Sequence, residues 1–178
     1  MVTDTVFKIG ASHKVCQDYA IASPDMVVVC DGCSGGRYVD VGARILAHQA
    51  ITDYGIDFLY PPRIKDIADS LGLSQEDMTA TILSIKIDGE SCITTRMGDG
   101  FIFKKTKDNL TITEGSWSDN APFYFAYDTY NMRDKWKEQF PNNKYSETIY
   151  TFDSNLNLVS KEENKDPMAC GGYVNCGT

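Results

Sequence analysis

Apolar and polar positions along this chain follow a period of two, then a helical period, then a period of two again. Thr5 to Gly10, Asp18 to Ala22 and the run beginning at Val27 are short apolar segments bounded by turn residues, which predicts three strands. From Val39 to Tyr54, Val41, Ile45, Leu46, Ala50 and Ile51 recur at helical spacing, and Pro61-Pro62 opens a second helix over Arg63 to Ser70. Alternation returns over Met78 to Ile87 and Ser91 to Met97, then over Phe101 to Lys105 and Leu110 to Thr113. Asp88-Gly89-Glu90, Gly98-Asp99-Gly100 and Lys107-Asp108-Asn109 are the turns between them, so a four-stranded antiparallel meander is expected. Beyond Glu114 the pattern weakens. A helix over Asp128 to Phe140 would pair Trp136 with Phe140, and Ser146 to Asp153 alternates as a strand that Asn155 to Val159 can join. Strands, two helices and more strands, with no linker or repeat, predict one mixed α/β domain over residues 1–178, its sheets mostly antiparallel.

Composition narrows the function classes. The net charge of -8 excludes a general phosphate-backbone binder, so no nucleic acid is expected, and no polybasic face suggests a membrane surface. No stretch is long and apolar enough for a membrane span, and the N-terminus lacks a signal pattern. Six cysteines in a chain this large and apolar do not require a disulfide frame, so reduced thiols and a cytoplasmic setting are the expectation. Cys30 and Cys33 have C-x-x-C spacing, which keeps a redox site open as a minor alternative.

The stretch Val27-Val28-Val29-Cys30-Asp31-Gly32-Cys33-Ser34-Gly35-Gly36 is the most informative. A buried strand here delivers a carboxylate to its end, and glycines let backbone groups approach a ligand. A divalent metal, a phosphate, or a plain Asp-Gly turn would each fit. Gln17-Asp18 and Gly98-Asp99-Gly100 likewise place an aspartate at a strand end. If these ends share one rim, the carboxylates converge as ligands for Mg²⁺ or Mn²⁺.

Five motifs in order, His13-Lys14-Val15-Cys16-Gln17-Asp18, Val29 to Gly36, Val41-Gly42-Ala43, Met78-Thr79-Ala80-Thr81 and Met97-Gly98-Asp99-Gly100-Phe101, resemble the metal-dependent protein phosphatases of the 2C type, in the bacterial and phage branch with a Cys-Gln-Asp motif. The resemblance implies a four-layer αββα sandwich of antiparallel sheets flanked by helices, incomplete at the C-terminus. It makes Asp31 the carboxylate that bridges two ions, and the Gly32 carbonyl and Asp18 ligands of the second ion. Asp99 matches a residue that helps hold a third. His13 falls where many members place a phosphate-gripping arginine, and it is the candidate proton donor to the leaving group. His48, mid-helix, suits packing or the surface better. The implied reaction is hydrolysis of phosphoserine and phosphothreonine in proteins by a metal-activated water.

The family also uses two later aspartates, one in an Asp-Gly strand end and one in an Asp-Asn pair, and neither has a convincing match. Asp119 in Ser118-Asp119-Asn120 falls too early, Asp153 is followed by Ser154, and Asp166 lies in a polar tail. The alternative function is therefore an inactive phosphatase-like binding module, or a fragment without the first metal site. A second copy of the chain or the missing C-terminal segment would then cover exposed sheet edges.

Overall fold

A computed structural model describes residues 3–11, 14–53, 55, 59–89, 91–164 and 174–175. The strands β1 (Tyr19–Ala22), β2 (Met26–Gly32), β3 (Ala80–Asp88) and β4 (Ser91–Met97) form an antiparallel sheet, with the short β9 (Val174–Asn175) on its far edge. Helices α1 (Val39–Thr52) and α2 (Pro61–Ser70) cover one face of it. Alternation in β2 explains the choice of face. Met26, Val28 and Cys30 are buried and pack with Leu46, Ala47 and Ala50 of α1 and with Ile82 and Met97, while Val29 and Asp31 point the other way. Burial of each large aliphatic side chain here contributes about 1.5–3 kcal/mol.

A second antiparallel sheet follows in strict chain order: β5 (Gly100–Lys105), β6 (Leu110–Trp117), β7 (Tyr145–Phe152) and β8 (Leu158–Asn164). The expected meander is therefore divided. β3 and β4 stay in the first sheet, and the turn Gly98-Asp99-Gly100 carries the chain across to the second. Gly98 and Gly100 have φ of 99° and 138°, which side chains other than glycine rarely adopt. The turn is also crowded, since a Cβ on Gly98 would lie 2.8 Å from Thr81 Cγ2. The predicted strand at residues 5–10 is absent; that segment is irregular. The predicted helix at 128–140 is two short ones, α3 (Phe125–Thr129) and α4 (Arg133–Gln139), split where Asn131 takes a positive φ. Trp136 and Phe140 do meet, with ring centroids 6.0 Å apart.

The two sheets lie face to face. Arg96 of β4, 1% exposed, reaches across to pair with Glu147 of β7 and donates to the Gly100 carbonyl at 3.2 Å. Tyr145 donates its hydroxyl to the same Glu147 carboxylate at 2.9 Å. Gly115 makes room for this cluster, because a Cβ there would come within 2.4 Å of Arg96 Cζ. At one end, Trp117, Phe123, Trp136 and Tyr145 form a separate aromatic core that seats α4. The expected mixed α+β sandwich of antiparallel sheets with flanking helices is present. Among the described residues, the outer face of the second sheet leaves Phe101, Phe103 and Leu158 each more than half exposed.

Candidate functional site

Strand direction brings the informative motifs to one rim. β2, β4 and β6 end there, while β1, β3, β5 and β7 begin there, as the registers Tyr19↔Cys30, Gly32↔Ala80, Ile82↔Met97, Gly100↔Gly115 and Trp117↔Tyr145 require. Asp18 immediately precedes β1 and Asp31 is the penultimate residue of β2. Continuing the β1–β2 register by one step sets them opposite each other on the face away from the helices.

Both aspartates line a cavity of about 300 Å³ together with Lys8, Gly10, Gln17, Gly32 and Ser34. The local chain is tied in place. The Asp31 N–H donates to Thr81 Oγ1 at 3.2 Å, the Cys33 N–H to the Thr79 carbonyl at 2.9 Å, and the Ser34 hydroxyl to Gln17 Oε1 at 2.9 Å. Gly32 is needed for close approach, since a Cβ on it would stand 2.6 Å from the Gln17 carbonyl oxygen and push away the segment that carries Asp18.

Asp77 braces this loop from behind. It is buried, and its carboxylate accepts from the Tyr38 N–H at 2.6 Å and from the Ser74 N–H and hydroxyl at 2.9 Å each. The Asp77 N–H returns a bond to Ser74 Oγ, so Ser74-x-x-Asp77 is a reciprocal cap on the 3-10 turn Glu76–Met78. Burial pushes the carboxyl up, but the bonds from Tyr38, Ser74 and Arg37 outweigh it and hold it below its ordinary range. Gly36 and Gly42 let the loop and α1 sit against this turn. Cβ atoms there would lie 2.6 Å from the Glu76 carbonyl oxygen and 1.9 Å from that of Asp77.

The candidate residues thus separate. Asp18, Asp31 and Gly32 share a cavity. Asp99 is at the same rim but does not line it; its charge instead acts on Tyr124, whose phenol is raised chiefly by burial and further by Cys33 and Asp99. His13 lies outside the described residues. His48 is on the helix side, its Nε2 3.1 Å from the Tyr19 hydroxyl, away from the aspartates. Asp119 contributes its N–H to an Asn143 bond, and Asp153 caps a turn at the opposite end of the sandwich through Asn155 and Asn157. Cys30 and Cys33 are both free thiols. Cys30 is fully buried mid-sheet, and burial, then the Asp31 charge, pushes its thiol up, the reverse of a reactive redox cysteine. Lys8 was not singled out from sequence because its segment read as a strand.

The cavity offers hard oxygens, two carboxylates with the Gln17 amide and the Ser34 hydroxyl, beside the Lys8 ammonium. Asp18 and Asp31 are the residues that could hold one Mg²⁺ or Mn²⁺ completed by water. Among the described residues no three acidic, histidine or cysteine side chains cluster closely enough to hold a metal, so the two aspartates would be the whole carboxylate supply for an ion in this cavity. Among the described residues, no helix is long and apolar enough to cross a membrane. Comparison with family models, with curated proteins and with solved structures gave no match.

Proposed function

We propose that this chain is a metal-dependent phosphomonoester hydrolase resembling the 2C-type protein phosphatases, acting on phosphoserine and phosphothreonine in proteins. The observation that carries the reading is the Asp18–Asp31 pair, set at the adjoining ends of β1 and β2 and lining one cavity with Gly32. When bound there, Mg²⁺ or Mn²⁺ acidifies a water and offsets charge on phosphoryl oxygens. Asp18 and Asp31 hold the ion, Thr81 fixes the backbone of Asp31, and Lys8 supplies a positive charge to the phosphate. His13 stays the proposed proton donor to the leaving group.

One observation favours a second reading. Asp99 lies outside the cavity, and among the described residues no three acidic, histidine or cysteine side chains cluster to hold a metal, which suits an inactive module that binds a metal or a phosphate without turnover. Calorimetric titration with Mn²⁺, run beside hydrolysis of an aryl phosphate, tests both. Saturable Mn²⁺ binding with turnover, both lost in Asp31→Asn, is the expected result. Binding without turnover selects the inactive module. Absence of binding at millimolar Mn²⁺ in a folded chain overturns the metal site.

A further inference from the structure

The loop after β2 faces two cavities. Gly32 and Ser34 line the carboxylate cavity, whereas Cys33 and Gly35 line a second one of about 310 Å³. Ser34 and Gly35 sit in a turn just past the end of β2, so one short loop contributes to both spaces.

The second cavity has an aromatic wall. Tyr124 and Tyr127 stack with ring centroids 6.0 Å apart, and Trp136 follows 6.3 Å from Tyr127; all three line it. Acidic groups stand beside this wall. Glu76 is part of the lining, and the charge of Asp99 reaches Tyr124. Neither carboxylate has an ion pair among the described residues. Lys135 is the basic residue of the lining, and it too is unpaired there.

We infer that this cavity is a subsite for a cationic side chain, arginine or lysine, close in sequence to the phosphorylated residue of a peptide whose phosphate occupies the carboxylate cavity. The peptide's identity rests on the phosphatase reading; the cation preference does not. Aromatic faces attract cations through the ring quadrupole, and a guanidinium also stacks flat on them. Glu76 in the lining supplies the opposite charge, and the net charge of -8 draws cationic segments to the protein. An extended peptide advances about 3.3 Å per residue, and the two cavities share the loop after β2, so a side chain close in sequence to the phosphorylated residue is the one placed to reach the second.

The test is a titration of the full chain, without metal, followed by ¹H–¹⁵N spectra of its two tryptophan indoles. Arginine amide is the probe and norleucine amide its neutral control. Arginine amide should give a saturable shift of the Trp136 indole and bind about threefold or more tightly than the control. Glu76→Gln should weaken that binding, Lys135→Ala should tighten it, and Asp31→Asn should leave it unchanged. Equal binding of norleucine amide, indifference to Glu76→Gln, or no saturable shift overturns the subsite. Turnover of two phosphopeptides with Mn²⁺, one with arginine and one with norleucine beside the phosphoserine, separates the linked readings. A higher kcat/KM for the arginine peptide supports both. Arginine selectivity in the titration with no turnover of either peptide upholds the cation subsite and overturns the phosphatase reading.

Discussion

Arg96 and Glu147 form an ion pair that joins the two sheets through the middle of the sandwich. The pair is surrounded by Tyr145, Gly115 and the Gly100 carbonyl. Arg96 is the penultimate residue of β4 and Glu147 the third of β7, so the contact lies close to the rim that carries the aspartates.

Removing either partner leaves a buried charge uncompensated. Arg96→Met alone or Glu147→Leu alone should destabilise the fold by about 3–5 kcal/mol. The double variant should recover much of that loss, because two apolar side chains need no pairing. Urea unfolding of the four proteins gives the coupling directly, and additive losses would deny the pair its role.

Asp77 makes stability depend on acid. Its folded carboxyl titrates below the unfolded value, so its contribution is complete above that unfolded value, about 4. It is lost as pH falls through the lower folded value. Asp77→Asn should cost about 2 kcal/mol near neutral pH, since its amide brings a donor up to the donors of Tyr38 and Ser74. The variant should also show a shallower loss of melting temperature between pH 5 and pH 2. Parallel melting curves against pH for the two proteins would contradict this.

Two neighbouring glycines should respond oppositely to alanine. At Gly42 the new methyl would press on the Asp77 carbonyl oxygen, and a loss of about 1–3 kcal/mol is expected in thermal unfolding. At Gly35 nothing lies within 4 Å of the added atom, and Gly35→Ala should melt with the parent.

Metal binding should register in stability without any substrate. At a Mn²⁺ concentration about one hundred times Kd, the gain is about 2.7 kcal/mol, or about 5–10 °C in Tm for a domain of this size. Asp18→Asn should abolish that shift while leaving the metal-free Tm near the parent's. Retention of the full shift would remove Asp18 from the ligands.

Much of the fold was legible because side-chain periodicity records which face is buried. The run from Val27 to Cys30 and the helical spacing of Leu46 and Ala50 located β2 and α1 to within two residues. The division of the meander was not legible. Gly98-Asp99-Gly100 has the letters of a hairpin turn, and only the tertiary pairing shows that it changes sheets. The same holds for the site. The rim shared by Asp18 and Asp31 follows from strand register, but Asp99 depends on the path of that crossing turn and does not line their cavity. Asp77 was readable in principle, since Ser74-x-x-Asp77 is the spacing of a capping box. Its brace on the loop after β2 needed α1 folded back onto it.

The chain order of the strands has a consequence for how the molecule is made. β1 to β4 with their two helices occupy residues 19–97, and β5 to β8 occupy residues 100–164. The hairpins β1–β2, β3–β4, β5–β6 and β7–β8 close short loops at small entropic cost, whereas β2–β3, β6–β7 and β4–β9 pair across long connections. A chain emerging from the ribosome would complete the Asp18–Asp31 pair before the second sheet exists. The Tyr124–Trp136 wall, the Arg96–Glu147 contact, the β4–β9 pairing and the seating of Phe125 and Ala126 in the first core all wait for later residues, so the carboxylate rim is laid down before the contacts that enclose it.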